Sequence, residues 1–291
     1  MKTNKNIDFL IEEAMVTNKL DLSYLELKII PDWIHNLNNL TELNLNNNQL
    51  TDISRLSGLN NLTILDLSNN KLTNVLGLSG LSNLRMLWLY NNQLIDISDL
   101  SGLTKLTTLY LSHNQITDIS ALSNLNALIT LDLQDNQLTD VLALSGLNNL
   151  IELNLQRNQF TNVTALTGLK SLRTLYLSHN KLPNVLGLSG LNNLTKLYLN
   201  NNQLTDVTAL SGLKSLTTLD LSNNKLTNVS VLADLNKLTE LYLNNNQLTD
   251  VTALSGLNAL KILHLNNNQI TDISAYKFIQ FLIDKRCTIL Y

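Results

Sequence analysis

Apolar residues recur at Leu40, Leu43, Leu45, Leu50, Ile53, Leu56 and Leu59 before Leu62 opens the same pattern again. Within the stretch LTELNLNNNQLTDISRLSG, Leu43 and Leu45 alternate with Glu42, Asn44 and Asn46. That period of two predicts a short strand with one face turned inward. Leu50, Ile53, Leu56 and Leu59 then return at spacing three, which suits a tight 3₁₀-like or irregular turn on the opposite side better than a long helix. One strand and one turn close a coil of 22 residues.

The period is strict. Asn48, Asn70, Asn92, Asn114, Asn136, Asn158, Asn180, Asn202, Asn224, Asn246 and Asn268 follow one another at 22 residues without an insertion. No single turn of such a coil can bury its own apolar side chains. Stability therefore comes from stacking on neighbours, at roughly 1.5–3 kcal/mol for each buried leucine before chain entropy is subtracted. A side-chain amide repeated at one inward position offers a donor and an acceptor to backbone groups that strand pairing leaves over, so these asparagines are expected to form a structural ladder.

The pattern L-x-x-L-x-L-x-x-N-x-L resembles the leucine-rich repeat signature over nearly the whole chain. The resemblance implies an α/β solenoid: a horseshoe with a parallel β-sheet on its concave side, 3₁₀ or irregular turns on its convex side and helical caps at both ends. From Leu40 onward the halves Thr51 to Leu59 and Thr117 to Leu125 resemble the 22-residue class of bacterial internalins and of the regulatory subunit of protein phosphatase 1. The Asp52 column is always Asp or Asn, as a turn needs. The Gly58 column is mostly glycine, with Asn124 and Asp234 as substitutes, and is expected to be left-handed.

The ends depart from the repeat. Ile7, Leu10, Ile11, Ala14 and Met15 fall at helical spacing, with Asp8, Glu12 and Glu13 on the other side, and predict a capping helix from Asn6 to Val16. An atypical first repeat follows to residue 39, with Leu25 in the asparagine position, one extra residue before Leu40 and Pro31 at the first position of a short helix. The stretch IEEAMVTNKLDLSYLELKIIPDWI resembles the start of leucine-rich modules in bacterial Roco-type GTPases, although the chain has no G-x-x-x-x-G-K-[ST] loop. Residues 40–273 make eleven repeats. SAYKFIQFLIDKR and CTILY, within residues 274–291, read as a closing helix and strand.

Composition narrows the function. With 20 basic and 23 acidic residues the chain lacks the footprint of a nucleic-acid partner. The N-terminus has no apolar leader core and no apolar run reaches membrane-spanning length, so the expectations are a cytoplasmic location and no membrane partner. The lone Cys287 forms no internal disulfide and is read as packed. His113 and His179 share a column but lie three repeats apart, about 14 Å at the strand spacing, too far for a common metal. Asp66, Asp132 and Asp220 are equally separated and are read as solvated carboxylates. Neither a metal, a cofactor, a small-molecule substrate nor catalysis is expected.

The outward positions of the sheet carry the remaining chemistry. Trp88, Tyr110, Tyr176, Tyr198, Tyr242 and His264 fall in one column, with Tyr90 beside it. Aromatic side chains on a solvent face are the stuff of interface hot spots, although cross-strand stacking also accounts for single tyrosines. Met86, Trp88, Tyr90, Tyr110, His113, Tyr176 and Tyr198 are the candidate protein-binding residues. The chain is thus read as a monomeric, non-enzymatic scaffold that binds a protein partner on its concave face. A regulatory module acting on a phosphatase or Roco-type GTPase, as the resemblances imply, and a secreted internalin-like adhesin are the alternatives.

Overall fold

The structure is a computed structural model that describes residues 7–271, 280 and 287–290. Two compact units divide the chain, Met1–Gln137 and Leu138–Tyr291. The first holds helix α1 (Ile7–Thr17) and strands β1 (Lys19–Asp21), β2 (Glu42–Asn44), β3 (Ile64–Asp66), β4 (Met86–Trp88), β5 (Thr108–Tyr110) and β6 (Thr130–Asp132). The second holds β7 (Glu152–Asn154), β8 (Thr174–Tyr176), β9 (Lys196–Tyr198), β10 (Thr218–Asp220), β11 (Glu240–Tyr242), β12 (Ile262–His264) and β13 (Thr288–Leu290). Within each unit every strand pairs in parallel with its chain neighbour. This is a leucine-rich repeat solenoid with a helix capping its N-terminal end.

Each strand is three residues long because the pattern alternates for no longer. Its central leucine is fully buried and its flanking residues are mostly half-buried, as in β3 and β5. Register follows the period: Leu65 pairs with Leu43 and Leu87 across a 22-residue step, and the extra residue of the first repeat makes the step from Leu20 to Leu43 one longer. Short 3₁₀ helices such as Ser54–Leu56 and Thr208–Leu210 cross the opposite side, and their leucines, Leu56 and Leu210, complete the core. The Asp or Asn two residues ahead of each turn accepts the N–H that opens it, at 2.7–3.3 Å, from Asp52 to Asp250. The N–H and hydroxyl of Ser54 hold the Asp52 carboxyl below its ordinary range.

The asparagine column closes the backbone accounts between turns. Each side-chain Oδ1 from Asn70 to Asn268 accepts an N–H twenty residues earlier, in the preceding repeat, at 2.9–3.1 Å. Each Nδ2 donates to the carbonyl three residues earlier in its own repeat, as Asn202 does to Leu199 at 3.0 Å, and Asn202 also donates to Leu177 of the preceding repeat at 2.9 Å. Asn48 serves the first repeat by accepting from Leu25 and Leu27, where an asparagine is missing. From Asn48 to Asn246 these side chains are buried, and Asn268 is half-buried.

Several expectations change. The left-handed column is not the Gly58 column but the one before each ladder asparagine: Asn47, Asn69, Asn91, His113, Asp135, Arg157, His179, Asn201, Asn223, Asn245 and Asn267 all have φ between 53° and 60°. Asn, Asp and His tolerate that conformation best among residues with a Cβ. In the glycine column only Gly58 and Gly190 have positive φ, because Ser57 and Ser189 before them are extended at ψ 127° and 129° in type II fashion. Ser123, Ser145 and Ser211 have ψ of −24° to −28° in type I fashion, which needs no glycine next and explains how Asn124 fits.

The capping helix also sits differently. It buries Ala14 and half-buries Leu10 and Ile11, while Ile7 and Met15 lie outside at 42% and 64% exposure. Its end is set by Asn18, at φ 58°, whose N–H returns to the Ala14 carbonyl at 2.9 Å. Pro31 is extended at ψ 144°, so it precedes the short helix Asp32–Asn36 and does not open it. The expected closing helix falls outside the described residues except at Gln280, which is helical. Cys287 is buried, and burial pushes its thiol up.

Candidate protein-binding face

Side chains of the first and last residue of each strand point away from the leucine core and form an open face in each unit. In the first unit, Trp88 and Tyr110 pair across β4 and β5 and stack with planes 5° apart and centroids at 6.3 Å. Met86 and Tyr90 flank Trp88 on the same strand and its extension, half-buried like the pair itself. Asp66 and Asp132 close the column at its two ends, paired with Trp88 and Tyr110. His113 stands on the left-handed turn beyond, with Nδ1 3.0 Å from Asp135 Oδ2.

The second unit carries the other aromatic residues. Tyr176 and Tyr198 stack at 4.9 Å with planes 3° apart, and Tyr242 meets His264 edge to face at 4.8 Å. Asp220 lies between Tyr198 and Tyr242 in register. Burial, then the Glu240 and Asp220 carboxylates, raise both phenols above their ordinary range and keep them protonated at neutral pH. Burial first, then the Arg157 guanidinium, lowers His179, so its imidazole is neutral there.

The aspartates of this column are not simply solvated. Where Asp or Asn ends a strand, its Oδ1 accepts the N–H two residues on: Asn44 from Asn46, Asp66 from Ser68, Asp132 from Gln134, Asn154 from Gln156 and Asp220 from Ser222. The aromatic neighbours cover them in turn. Desolvation raises the Asp132 and Asp220 carboxyls despite these hydrogen bonds. For an acid whose folded value is raised, ionisation opposes folding, so the penalty is full above the folded value and absent below the unfolded one, near 3.9. Asp220→Asn, which keeps the acceptor as Asn44 and Asn154 do, is expected to raise the melting temperature at pH 7. The gain is expected to shrink to nothing as melts are taken down through pH 3.

One feature was not visible in the repeat pattern. Helix α1 leans over the strand face of β1 to β4 and encloses a cleft of about 450 Å³. Leu10 and Glu13 line its helix side, Asp21, Glu42, Asp66 and Ile64 its strand side, and Trp88 its far end. Lys19 Nζ lies 2.7 Å from Glu42 Oε1 within it. Among the described residues no three His, Cys, Asp or Glu side chains are placed to hold a metal ion, and no helix is long and apolar enough to cross a membrane.

Comparison with known proteins agrees with this architecture. The family described as "Leucine Rich repeats (2 copies)" matches residues 60–102, 104–148, 192–234 and 236–277, and "Leucine rich repeat" matches 18–72, 139–182 and 161–204. The chain belongs to the leucine-rich repeat family. It is similar to the crystal structure of an internalin, InlF, from Listeria monocytogenes, at 33% identity and a TM-score of 0.80 over 96% of this chain and 88% of that one. Internalin C2 of the same organism is 38% identical, with a TM-score of 0.54, over 73% of this chain and 83% of its own. The ectodomain of the Arabidopsis thaliana receptor kinase GASSHO1/SCHENGEN3, crystallised in complex with CASPARIAN STRIP INTEGRITY FACTOR 2, is 32% identical with a TM-score of 0.71. That match covers 83% of this chain and 31% of the ectodomain. No curated protein sequence matches the chain significantly.

Proposed function

We propose that the protein is a non-enzymatic binding module that holds a segment of a partner protein against its open strand face. The observation that carries this reading is the pair Trp88 and Tyr110, stacked on the solvent side of β4 and β5 beside Met86 and Tyr90. The core is complete without these rings, since Leu87 and Leu109 fill the inward positions of the same strands. Their free edges supply apolar area at little entropic expense, and the surrounding aspartates and His113 supply a polar rim. The plant ectodomain at 32% identity, crystallised with a bound factor, supports a binding role for this class of repeat array.

The test uses a partner captured from the native source, purified and titrated directly. Trp88→Ala with Tyr110→Ala is expected to weaken binding by about 30-fold or more, the equivalent of roughly 2 kcal/mol for a hot-spot residue. The thermal melt is expected to stay within a few degrees of wild type, and Tyr242→Ala is expected to change neither quantity. Unchanged affinity in the double variant would move the contact to Tyr176 and Tyr198 or off the strand face.

A further inference from the structure

We propose that the cleft beneath α1 receives a basic segment of the partner, with a lysine or arginine side chain seated between Asp66 and Trp88. Four carboxylates line the cleft, those of Glu13, Asp21, Glu42 and Asp66, against the single ammonium of Lys19. That ammonium is already committed to Glu42 at 2.7 Å. The remaining charge is negative, and the helix overhang withdraws the cleft from bulk water, which strengthens its attraction for a cation. Ile64 and Trp88 add an apolar wall on which the methylene stem of a long basic side chain can lie. The indole face beside the Asp66 column position suits an ammonium or guanidinium group further. An acidic or purely apolar segment would leave these carboxylates desolvated and unpaired, so charge selects the occupant. The cleft volume is within the range of clefts that bind small groups, about 300–1,000 Å³.

Two eight-residue fluorescent probes test this, one alternating leucine with arginine and the other leucine with glutamate. They are titrated by anisotropy into the full chain and two variants. Asp66→Asn with Glu42→Gln removes charge from the cleft, and Asn44 and Asn154 show that asparagine makes the same turn bond in that column. Asp220→Asn with Glu240→Gln removes a matching pair on β10 and β11, outside the cleft. The arginine probe is expected to bind wild type and the second variant alike and the first at least tenfold more weakly, with the difference fading as salt is added. The glutamate probe is expected not to bind. Equal affinity of the arginine probe for both variants, or of both probes for wild type, overturns the proposal. Concentration-dependent self-association that Asp66→Asn with Glu42→Gln abolishes would place a second copy in the cleft and overturn it as well.

This inference rests on the strand-face reading at Trp88, and the native partner separates the two. A partner lost by Trp88→Ala with Tyr110→Ala but held at full affinity by Asp66→Asn with Glu42→Gln refutes the cleft and leaves the face. A partner held by both variants overturns both.

Discussion

Asn202→Ala is expected to lower the unfolding free energy by roughly 2–4 kcal/mol, while Asn201→Ala, one residue away, is expected to be nearly neutral. The amide of Asn202 takes the Leu182 N–H at 3.1 Å and gives hydrogen bonds to the carbonyls of Leu177 and Leu199. Alanine leaves all three backbone groups buried with no replacement, and each such group costs about 1–3 kcal/mol when unpaired, less whatever a penetrating water restores. Asn201 occupies the exposed side of the same turn, and its amide approaches His179 Nε2 at 3.3 Å in solvent. Its φ of 57° limits the replacement's gain or loss to the modest strain of alanine in a left-handed position. Urea unfolding of the two variants measures the contrast, and equal shifts would refute the assignment of the ladder as the inward contributor.

Gly187→Ala is expected to destabilise by roughly 1–3 kcal/mol through backbone collision, whereas Gly212→Ala is expected to be neutral or slightly stabilising. A Cβ on Gly187 would lie 2.0 Å from the Val163 carbonyl oxygen and 2.6 Å from the Thr164 Cα, both main-chain atoms that cannot swing aside. A Cβ on Gly212 meets only the Asn192 side-chain oxygen at 3.7 Å, at a φ that any residue adopts. Gly187 is therefore required by the close approach of successive turns and not by its dihedral angles. Thermal melts of both variants against wild type decide this, and a larger loss at Gly212 would reverse the assignment.

The contrast between these glycines shows where the sequence was readable. Strand, turn and ladder positions repeat every 22 residues, so one physical argument about Leu43, Leu45 and Asn48 applied eleven times over. The turn after Leu56 was not readable in the same way, because Ser57-Gly58 and Ser211-Gly212 are the same dipeptide in two turn types. The left-handed column was legible in principle: its occupants are mostly Asn, with His, Asp and Arg, and never β-branched. Its chemistry was instead read as surface polarity. The candidate aromatic column lined up from spacing alone, but ring stacking and the burial of Asp132 and Asp220 depend on side-chain conformations that no periodicity specifies. The cleft was hidden for a different reason. It depends on the angle at which α1 leaves β1, and the helical spacing of Leu10 and Ala14 carries no information about what lies opposite.

The ladder has a direction. Each asparagine reaches back to an N–H twenty residues earlier, so the Leu182 amide, once synthesised, waits for Asn202 before its hydrogen bond can form. A chain emerging from the ribosome would therefore finish one coil only when the next has been made, and the growing end would always carry one incomplete turn. Such vectorial assembly adds short loops and needs no distant segment to arrive, which keeps newly made leucine edges exposed for the time taken to translate a single repeat.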